Sequence, residues 1–456
     1  MQTQTHSQPP TPRAALFEQR VPRYTSYPTA PHFHDGVSGS VFGEWLEALP
    51  STTPLSLYLH VPFCKTLCHY CGCNTVAVNR YGPVQAYVDL LLIEMEMVAA
   101  RTGPRRVTHL HWGGGTPTIL QAGDFLKLMI RARELWHFDP KAEIAIEIDP
   151  RTLTQDRVDA LAAAGINRAS LGCQDFDPQV QEAIGRIQDL ESTVRAATML
   201  RDAGIREINV DLMYGLPHQT VEIVTESLAK ALMLEPARVS LFGYAHVPWM
   251  KKHQQLIREE TLPDGDARMA QFLAASRYLL SHGYVAIGLD HFARADDELA
   301  VQLREGRLKR NFQGYTTDDA PALIGLGASA ISSLPQGYAQ NAPTTPAYRK
   351  AIEAGTFATA RGLALTQEDR MRRDLIERLM CDLTVDVADI CAAHGRDTSA
   401  LAPELQRLDQ LAAHDLVVRQ DSRITVPEPA RPFVRSVCAV FDQYLRSGET
   451  RHARAV

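Results

Sequence analysis

The stretch that decides the fold is "LSLYLHVPFCKTLCHYCGCN", residues 55–74. Its first seven residues alternate in the period-two pattern of a strand. Four of the chain's eight cysteines follow at once: Cys64, Cys68, Cys71 and Cys73. A strand that runs into a thiol-rich loop places reactive groups at a strand's C-terminal end, where parallel α/β folds gather their sites.

Working outward, the strand-then-helix rhythm repeats. Strand patterns occupy 55–61, 106–112, 142–149, 167–173, 206–214 and 237–244. Helix patterns fill the intervals at 83–100, 122–136, 153–165, 190–204 and 220–234. Gly165 and Gly204 close two of these helices as C-caps. Successive βα units imply a parallel sheet with right-handed crossovers, either doubly wound or closed toward a barrel. The strand ends favour the barrel. After the first comes the cysteine loop and after the second "GGGTPT" (113–118). Glu147, Gln174 and Asp211 mark the next three, and "YAHVPW" (244–249) the sixth. Polar groups at the same end of every strand fit one face of a barrel rather than a single switch point. The fold class expected is α/β, a partial (β/α)6 barrel.

Four parts are expected along the chain. Residues 1–20 are polar and Pro-rich, so they are expected to be disordered and not a secretory signal. Residues 21–54 form a segment covering the barrel, and 55–363 form the barrel with a substrate-side extension. Residues 364–456 form a small, mostly helical, winged-helix-like domain. In that domain 365–395 and 401–418 are helix-patterned throughout, a hairpin spans 417–427, and a last helix spans 431–446. The chain has 456 residues, 45% hydrophobic and 22% charged, with a net charge of -6. It shows no clustered basic stripe for nucleic acid and no apolar run of the roughly 20 residues that span a membrane. A soluble cytoplasmic monomer is expected, in a compartment where thiols stay reduced.

Cys64, Cys68 and Cys71 have C-x3-C-x2-C spacing. Structural zinc normally takes four protein ligands, often as two separated pairs, and no second pair exists. Three thiolates can instead hold three irons of a 4Fe-4S cluster and leave the fourth iron open for a ligand. Cys173, Cys381, Cys391 and Cys438 are scattered and read as buried small hydrophobes.

The cysteine triad after the first strand and "GGGTPT" after the second resemble the radical S-adenosylmethionine superfamily. Other segments are narrower: "PRYTSYPTA" (22–30), "YLHVPFC" (58–64), "CGCN" (71–74), "EIDPR" (147–151), "DLMYGLPHQT" (211–220), "DHFAR" (290–294), "RNFQGYTT" (310–317) and "YAQN" (338–341). Together these resemble the oxygen-independent coproporphyrinogen III oxidase family. The resemblance implies oxidative decarboxylation of two propionates of coproporphyrinogen III to vinyl groups, giving protoporphyrinogen IX. The hydrogen would be taken by a 5'-deoxyadenosyl radical. It also implies an electron donor such as flavodoxin or ferredoxin, and a terminal acceptor that the sequence does not identify. A haem chaperone and a haem-directed radical methyltransferase are the alternatives within the superfamily.

Site roles follow from the resemblance residue by residue. Cys64, Cys68 and Cys71 match the cluster ligands. Tyr58, Gly114, Glu147 and Ile331 match contacts to a first S-adenosylmethionine, on the cluster. Tyr70, Gly115, Thr116, Gln174, Arg186, Asp211 and Ala245 match contacts to a second, and Gln313 lies near both. Tyr58, His60 and Cys73 are candidates for catalysis. Cys73 is expected not to bind the cluster but to aid proton, hydrogen or electron transfer, with Gly72 letting the chain turn sharply between Cys71 and Cys73. Arg23, Lys251, Lys252, Arg294, Lys309 and Arg310 are unranked candidates for the substrate's four carboxylates.

Overall fold

The computed structural model describes residues 20–447; the expectations for residues 1–19 and 448–456 lie outside the described residues. Six strands follow the rhythm read above: β1 (Leu55–Val61), β2 (Arg106–Gly114), β3 (His137–Ile148), β4 (Arg168–Gln174), β5 (Glu207–Tyr214) and β6 (Arg238–Gly243). They lie side by side in that order, each parallel to the next. Helices α1 (Gly82–Thr102), α2 (Ala122–Leu135), α3 (Gln155–Ala163), α4 (Leu190–Asp202) and α5 (Val221–Leu232) make the crossovers. Gly165 and Gly204 both take positive φ just past their helices, as C-caps do.

The sheet continues beyond both edges. Ala322–Leu326 pairs parallel with β1, and three antiparallel strands extend it to Thr359–Ala364. On the other side β6 pairs antiparallel with His291–Arg294, which pairs with Tyr284–Ile287. The two outermost strands are not partners, so the curved sheet is an incomplete barrel.

Period-two alternation explains why its interior is a cavity. Leu57, Leu59, Leu110, Trp112, Ile144, Ile146, Leu171, Val210 and Leu241 are buried in the core. The alternate positions, among them His109, His111, Glu143, Glu147, Arg168, Ser170, Asn209, Asp211, Arg238 and Ser240, line an internal cavity of about 750 Å³.

Past the barrel, Gln367–Asp382 forms a helix that opens on a capping box between Thr366 and Asp369. The continuous helix pattern read over 365–395 is broken here. Leu383 adopts left-handed φ (58°), and Thr384–Asp386 pairs with Arg423–Thr425. The expected hairpin is present as Val418–Gln420 against Arg423–Thr425, so the small sheet has three strands. The last helix is shorter than its pattern, only Val434–Ala439. The turn before it is a 3-10 helix containing Pro432, whose missing N–H cannot serve an α-helix interior. Leu375, Ile376, Leu379, Val434 and Val437 join the same hydrophobic core as the barrel strands.

Candidate active site

The cysteine loop runs from the end of β1 across the cavity. Cys64, Cys68, Cys71 and Cys73 all line it, with Gly114, Gly115 and Thr116 beside them. Cys64 Sγ is 3.3 Å from both the Thr75 and the Thr116 hydroxyl. Cys68 Sγ faces two guanidinium groups, Arg186 Nη1 at 3.6 Å and Arg151 Nη2 at 3.8 Å. The loop is clamped from the segment after β6. Lys251 Nζ donates to the Cys73 carbonyl at 2.8 Å, His253 Nε2 to the Cys71 carbonyl at 2.7 Å, and Gln254 Nε2 to the Tyr70 carbonyl at 2.9 Å. Cys73 is exposed and lines the cavity. The neighbouring thiols act on each other: Cys73 lowers Cys71 to about 7, and Cys71 raises Cys73. Gly72 departs from expectation. Its φ is not positive, and a Cβ there would meet nothing within 4 Å. The carbonyl clamps hold this turn.

The glycine turn does require glycine. Gly114 has φ of 114°, and a Cβ would come within 2.7 Å of the His60 ring. At Gly115 a Cβ would lie 2.6 Å from the Phe63 carbonyl oxygen. The backbone is wedged against the cysteine loop with no room for a side chain.

Glu147 accepts from the Gly114 amide at 3.1 Å and pairs with His111 Nε2 at 3.2 Å. His60 is 6% exposed, and both ring nitrogens are used. Nε2 must donate to the Asn74 carbonyl (3.0 Å), so Nδ1 accepts from the Tyr58 hydroxyl (3.0 Å). His60 thus ties the far end of the cysteine loop to β1. Tyr58, His60 and Ile331 are not among the residues lining the cavity. Tyr58 stands behind Gly113, its ring stacked on His111 at 5.9 Å.

Gln174 is a non-glycine residue at φ 67°, just past a register shift between β4 and β5. The bulge turns it onto the cavity wall. Asp211 accepts only from neutral groups, Ser170 Oγ at 2.8 Å and Asn209 Nδ2 at 2.8 Å, and burial raises its pKa. Arg186, 6% exposed, donates to the Gly172 carbonyl at 2.6 Å and lies 3.3 Å from Asp149, while its buried Nε has no hydrogen-bond partner. Tyr70, Ala245 and Gln313 complete the wall.

Among the six basic candidates, Arg23 lines the cavity and Arg310 a small chamber beside it. Lys251 holds the cysteine loop, Lys309 pairs with Glu377 at 3.1 Å, Arg294 lies 3.6 Å from Asp296, and Lys252 is exposed outside both linings. Residue-by-residue reading missed His111, Arg151, Asp149 and His253. The first three had a signal: His111 alternates with His109 on β2, and Asp149 and Arg151 sit in "EIDPR" just past Glu147.

The residues suit the groups that the resemblance implies. Among the described residues no three His, Cys, Asp or Glu side chains converge closely enough for one metal ion. A 4Fe-4S cluster asks for thiolates on three separate irons, and Arg151 and Arg186 place positive charge beside Cys68. The orphaned Arg186 Nε and the Asp211 carboxylate, which meets only neutral donors, suit a ligand that carries both charges, as S-adenosylmethionine does.

A cavity at the C-terminal ends of six parallel strands, rimmed by a cysteine loop and a glycine turn, defines a radical S-adenosylmethionine protein. The Radical SAM superfamily model matches residues 58–231, and the HemN C-terminal domain model matches 365–433. Among curated relatives, the oxygen-independent coproporphyrinogen III oxidase of Bradyrhizobium diazoefficiens is 51% identical, over 96% of this chain and 98% of that protein. The enzyme of the same name from Paracoccus denitrificans is 48% identical, over 95% and 96%. The solved structure of Escherichia coli coproporphyrinogen III oxidase, a radical SAM enzyme, superposes with a TM-score of 0.89 at 39% identity, covering 93% of this chain and all of that one. The chain belongs to the oxygen-independent coproporphyrinogen III oxidase family.

Proposed function

We propose that the chain converts coproporphyrinogen III to protoporphyrinogen IX by oxidative decarboxylation of two propionates. One observation carries the reading: the cysteine loop, the glycine turn and a polar barrel interior meet on a single large cavity. Cys64, Cys68 and Cys71 would hold the 4Fe-4S cluster. Tyr58, Gly114, Glu147 and Ile331 would serve one S-adenosylmethionine; Tyr70, Gly115, Thr116, Gln174, Arg186, Asp211 and Ala245 a second, with Gln313 nearby. When bound, the reduced cluster and S-adenosylmethionine supply the radical that removes a hydrogen from the propionate chain.

The protein's own residues do the rest. Arg151 and Arg186 place positive charge beside Cys68. Glu147 fixes the glycine turn by its bond from the Gly114 amide, and His60 fixes the loop by its bond to Asn74. Val21, Pro22 and Arg23 of the covering segment line the cavity, which helps keep water from it. Cys73, outside the proposed ligand set, lines the cavity and would have a thiol proton to give on that side.

The eight free cysteines suit a reducing cytoplasm, and no helix among the described residues is long and apolar enough to cross a membrane. A small redox protein such as flavodoxin or ferredoxin would supply electrons, and the monomer would be the working unit. The test is anaerobic incubation with a reductant, S-adenosylmethionine and coproporphyrinogen III. Divinyl product with release of two carbon dioxide molecules is expected. Stable haem binding without vinyl formation would overturn the reading.

A further inference from the structure

Asp175 follows Gln174 at the end of β4, is 1% exposed and does not line the cavity. Its carboxylate accepts three hydrogen bonds, all from neutral donors. The Asp177 amide and the Ser227 hydroxyl meet one oxygen at 2.6 and 3.0 Å, and Gln219 Nε2 meets the other at 2.6 Å. Burial raises its pKa to about 6, against the pull of these bonds. A buried charge met only by neutral donors costs stability, which a residue kept for packing alone would avoid.

The partners come from separate elements. Ser227 lies on α5 and also accepts from the Phe176 amide at 3.0 Å. Gln219, in "DLMYGLPHQT", lies past β5, where it donates to the Met213 carbonyl and accepts from the Leu216 amide, both at 2.8 Å. The Asp175 carbonyl accepts from Gln181 Nε2 at 2.9 Å, and the Gln181 carbonyl accepts from the Arg186 amide at 2.9 Å. Asp175 is thus one peptide bond from Gln174 and two hydrogen bonds from Arg186, both of them cavity residues. Gln174 needs such an anchor, because a φ of 67° in a residue with a Cβ persists only where its surroundings fix it.

We propose that Asp175 is a positioning residue: it holds Gln174, and through Gln181 the Arg186 backbone, in the arrangement that takes the second S-adenosylmethionine. The inference rests on the reading of Gln174 and Arg186 as contacts to that molecule. An amide cannot replace the carboxylate. Asparagine turns one oxygen into a donor, which then meets either Gln219 Nε2 or the Asp177 amide. Gln219 cannot flip without losing its bonds to Leu216 and Met213.

The test is Asp175→Asn in the full-length, cluster-loaded protein, read by equilibrium dialysis of S-adenosylmethionine and by hydrogen–deuterium exchange without it. Wild type is expected to bind two molecules. In the variant one should keep its affinity and the other weaken by roughly 10- to 100-fold, with iron content at the wild-type level. Amide exchange over 173–177 should speed by at least about tenfold. Asp297→Ala is the stability control: it removes the partner of Arg238, 2.9 Å away at the other end of the barrel, and should leave both affinities unchanged wherever the protein stays folded. Ser227→Ala removes one of the three donors and stands in should Asp175→Asn fail to fold; the same site should weaken, by less. Two unchanged affinities in a folded variant, or an equal loss in Asp297→Ala, overturn the positioning. A wild type that binds a single molecule overturns the two-site reading instead, and exchange then decides: faster exchange confined to 173–177 supports the anchor, and unchanged exchange there overturns it too.

Discussion

The two ends of the barrel interior use the same alternation of side chains to opposite ends. At the N-terminal end of the strands, charge is balanced within the protein. Arg238 Nε lies 2.9 Å from both oxygens of Asp297, Arg168 pairs with Glu143 at 2.9 Å, and His109 lies 3.2 Å from Asp318. At the C-terminal end it is not. Arg151 and Arg186 share one carboxylate, Asp149, beside Cys68, while Asp211 meets only neutral donors. A polar residue pointing inward is therefore no sign of a site by itself. The sign is charge left without a partner where the backbone is also strained or wedged, as at Gln174 and Gly114.

The largest expected break in this comparison comes from the open end. Cys68→Ala should abolish vinyl product and strip iron from the protein, with the unfolding free energy of the apoprotein changed by less than about 1 kcal/mol. The comparison is iron content, product and chemical denaturation against apo wild type. Full iron loading would remove Cys68 from the proposed ligand set. At the balanced end the outcome should reverse. Asp297 accepts from Arg238 Nε on both oxygens, lies 3.7 Å from Arg168 and caps a helix by accepting from the Leu299 amide at 2.8 Å. Asp297→Ala takes from the buried Arg238 guanidinium its close carboxylate partner and should cost about 3–5 kcal/mol of stability. S-adenosylmethionine cleavage per folded molecule should stay near wild type. A stability loss under 1 kcal/mol would show that the base does not depend on its charge balance.

The pH dependence sharpens the same point. Burial alone would raise Glu143, but Arg168, Arg238 and His109 hold it at about 2. A depressed carboxyl contributes stability above its unfolded value of about 4.5, and the contribution is lost as pH falls toward 2. The stability gap between wild type and Glu143→Gln should be constant above about pH 5 and shrink as pH falls through that window. Urea unfolding from pH 3 to 7 measures it; a gap that does not narrow on acidification would contradict the pairing.

The sequence made the six strands, their order and the open end of the site legible because the strands are periodic and five of them carry Cys, Gly, Glu, Gln or Asp in or just past their C-terminal half. What it hid depends on distance along the chain. Asp175 and Gln219 are 44 positions apart, and the balanced network joins β3, β4 and β6 to Asp297. Those partners could be found only once the sheet was assembled, although the inward polar alternation itself was in view. The helix read across 365–395 failed locally: Leu383 turns left-handed, and the β-favouring Thr384-Val385 pair gains a strand partner 40 residues away. Gly72 failed for the opposite reason. A glycine between two cysteines reads as a turn device, yet its φ is ordinary and contacts from Lys251 and His253 fix the path.

The smallest effect should come from that glycine. Gly72→Ala adds a methyl group where no protein atom lies within 4 Å, at a φ that alanine accepts. Stability should be unchanged or should rise by up to about 1 kcal/mol, because alanine leaves the unfolded chain less freedom to lose. Iron content should match wild type, since Cys64, Cys68 and Cys71 keep their positions. Gly114→Ala is the control: the same methyl group meets the His60 ring at 2.7 Å with φ at 114°, so it should cost at least 1–3 kcal/mol and disturb the turn that Glu147 holds. Product formation separates two roles for Gly72, which lines the cavity. A rate within about twofold of wild type means that the loop's path is set by its carbonyl clamps alone. A large fall in rate with iron intact would mean that a ligand in the cavity approaches the Gly72 backbone too closely for a side chain, making the glycine part of the open end after all.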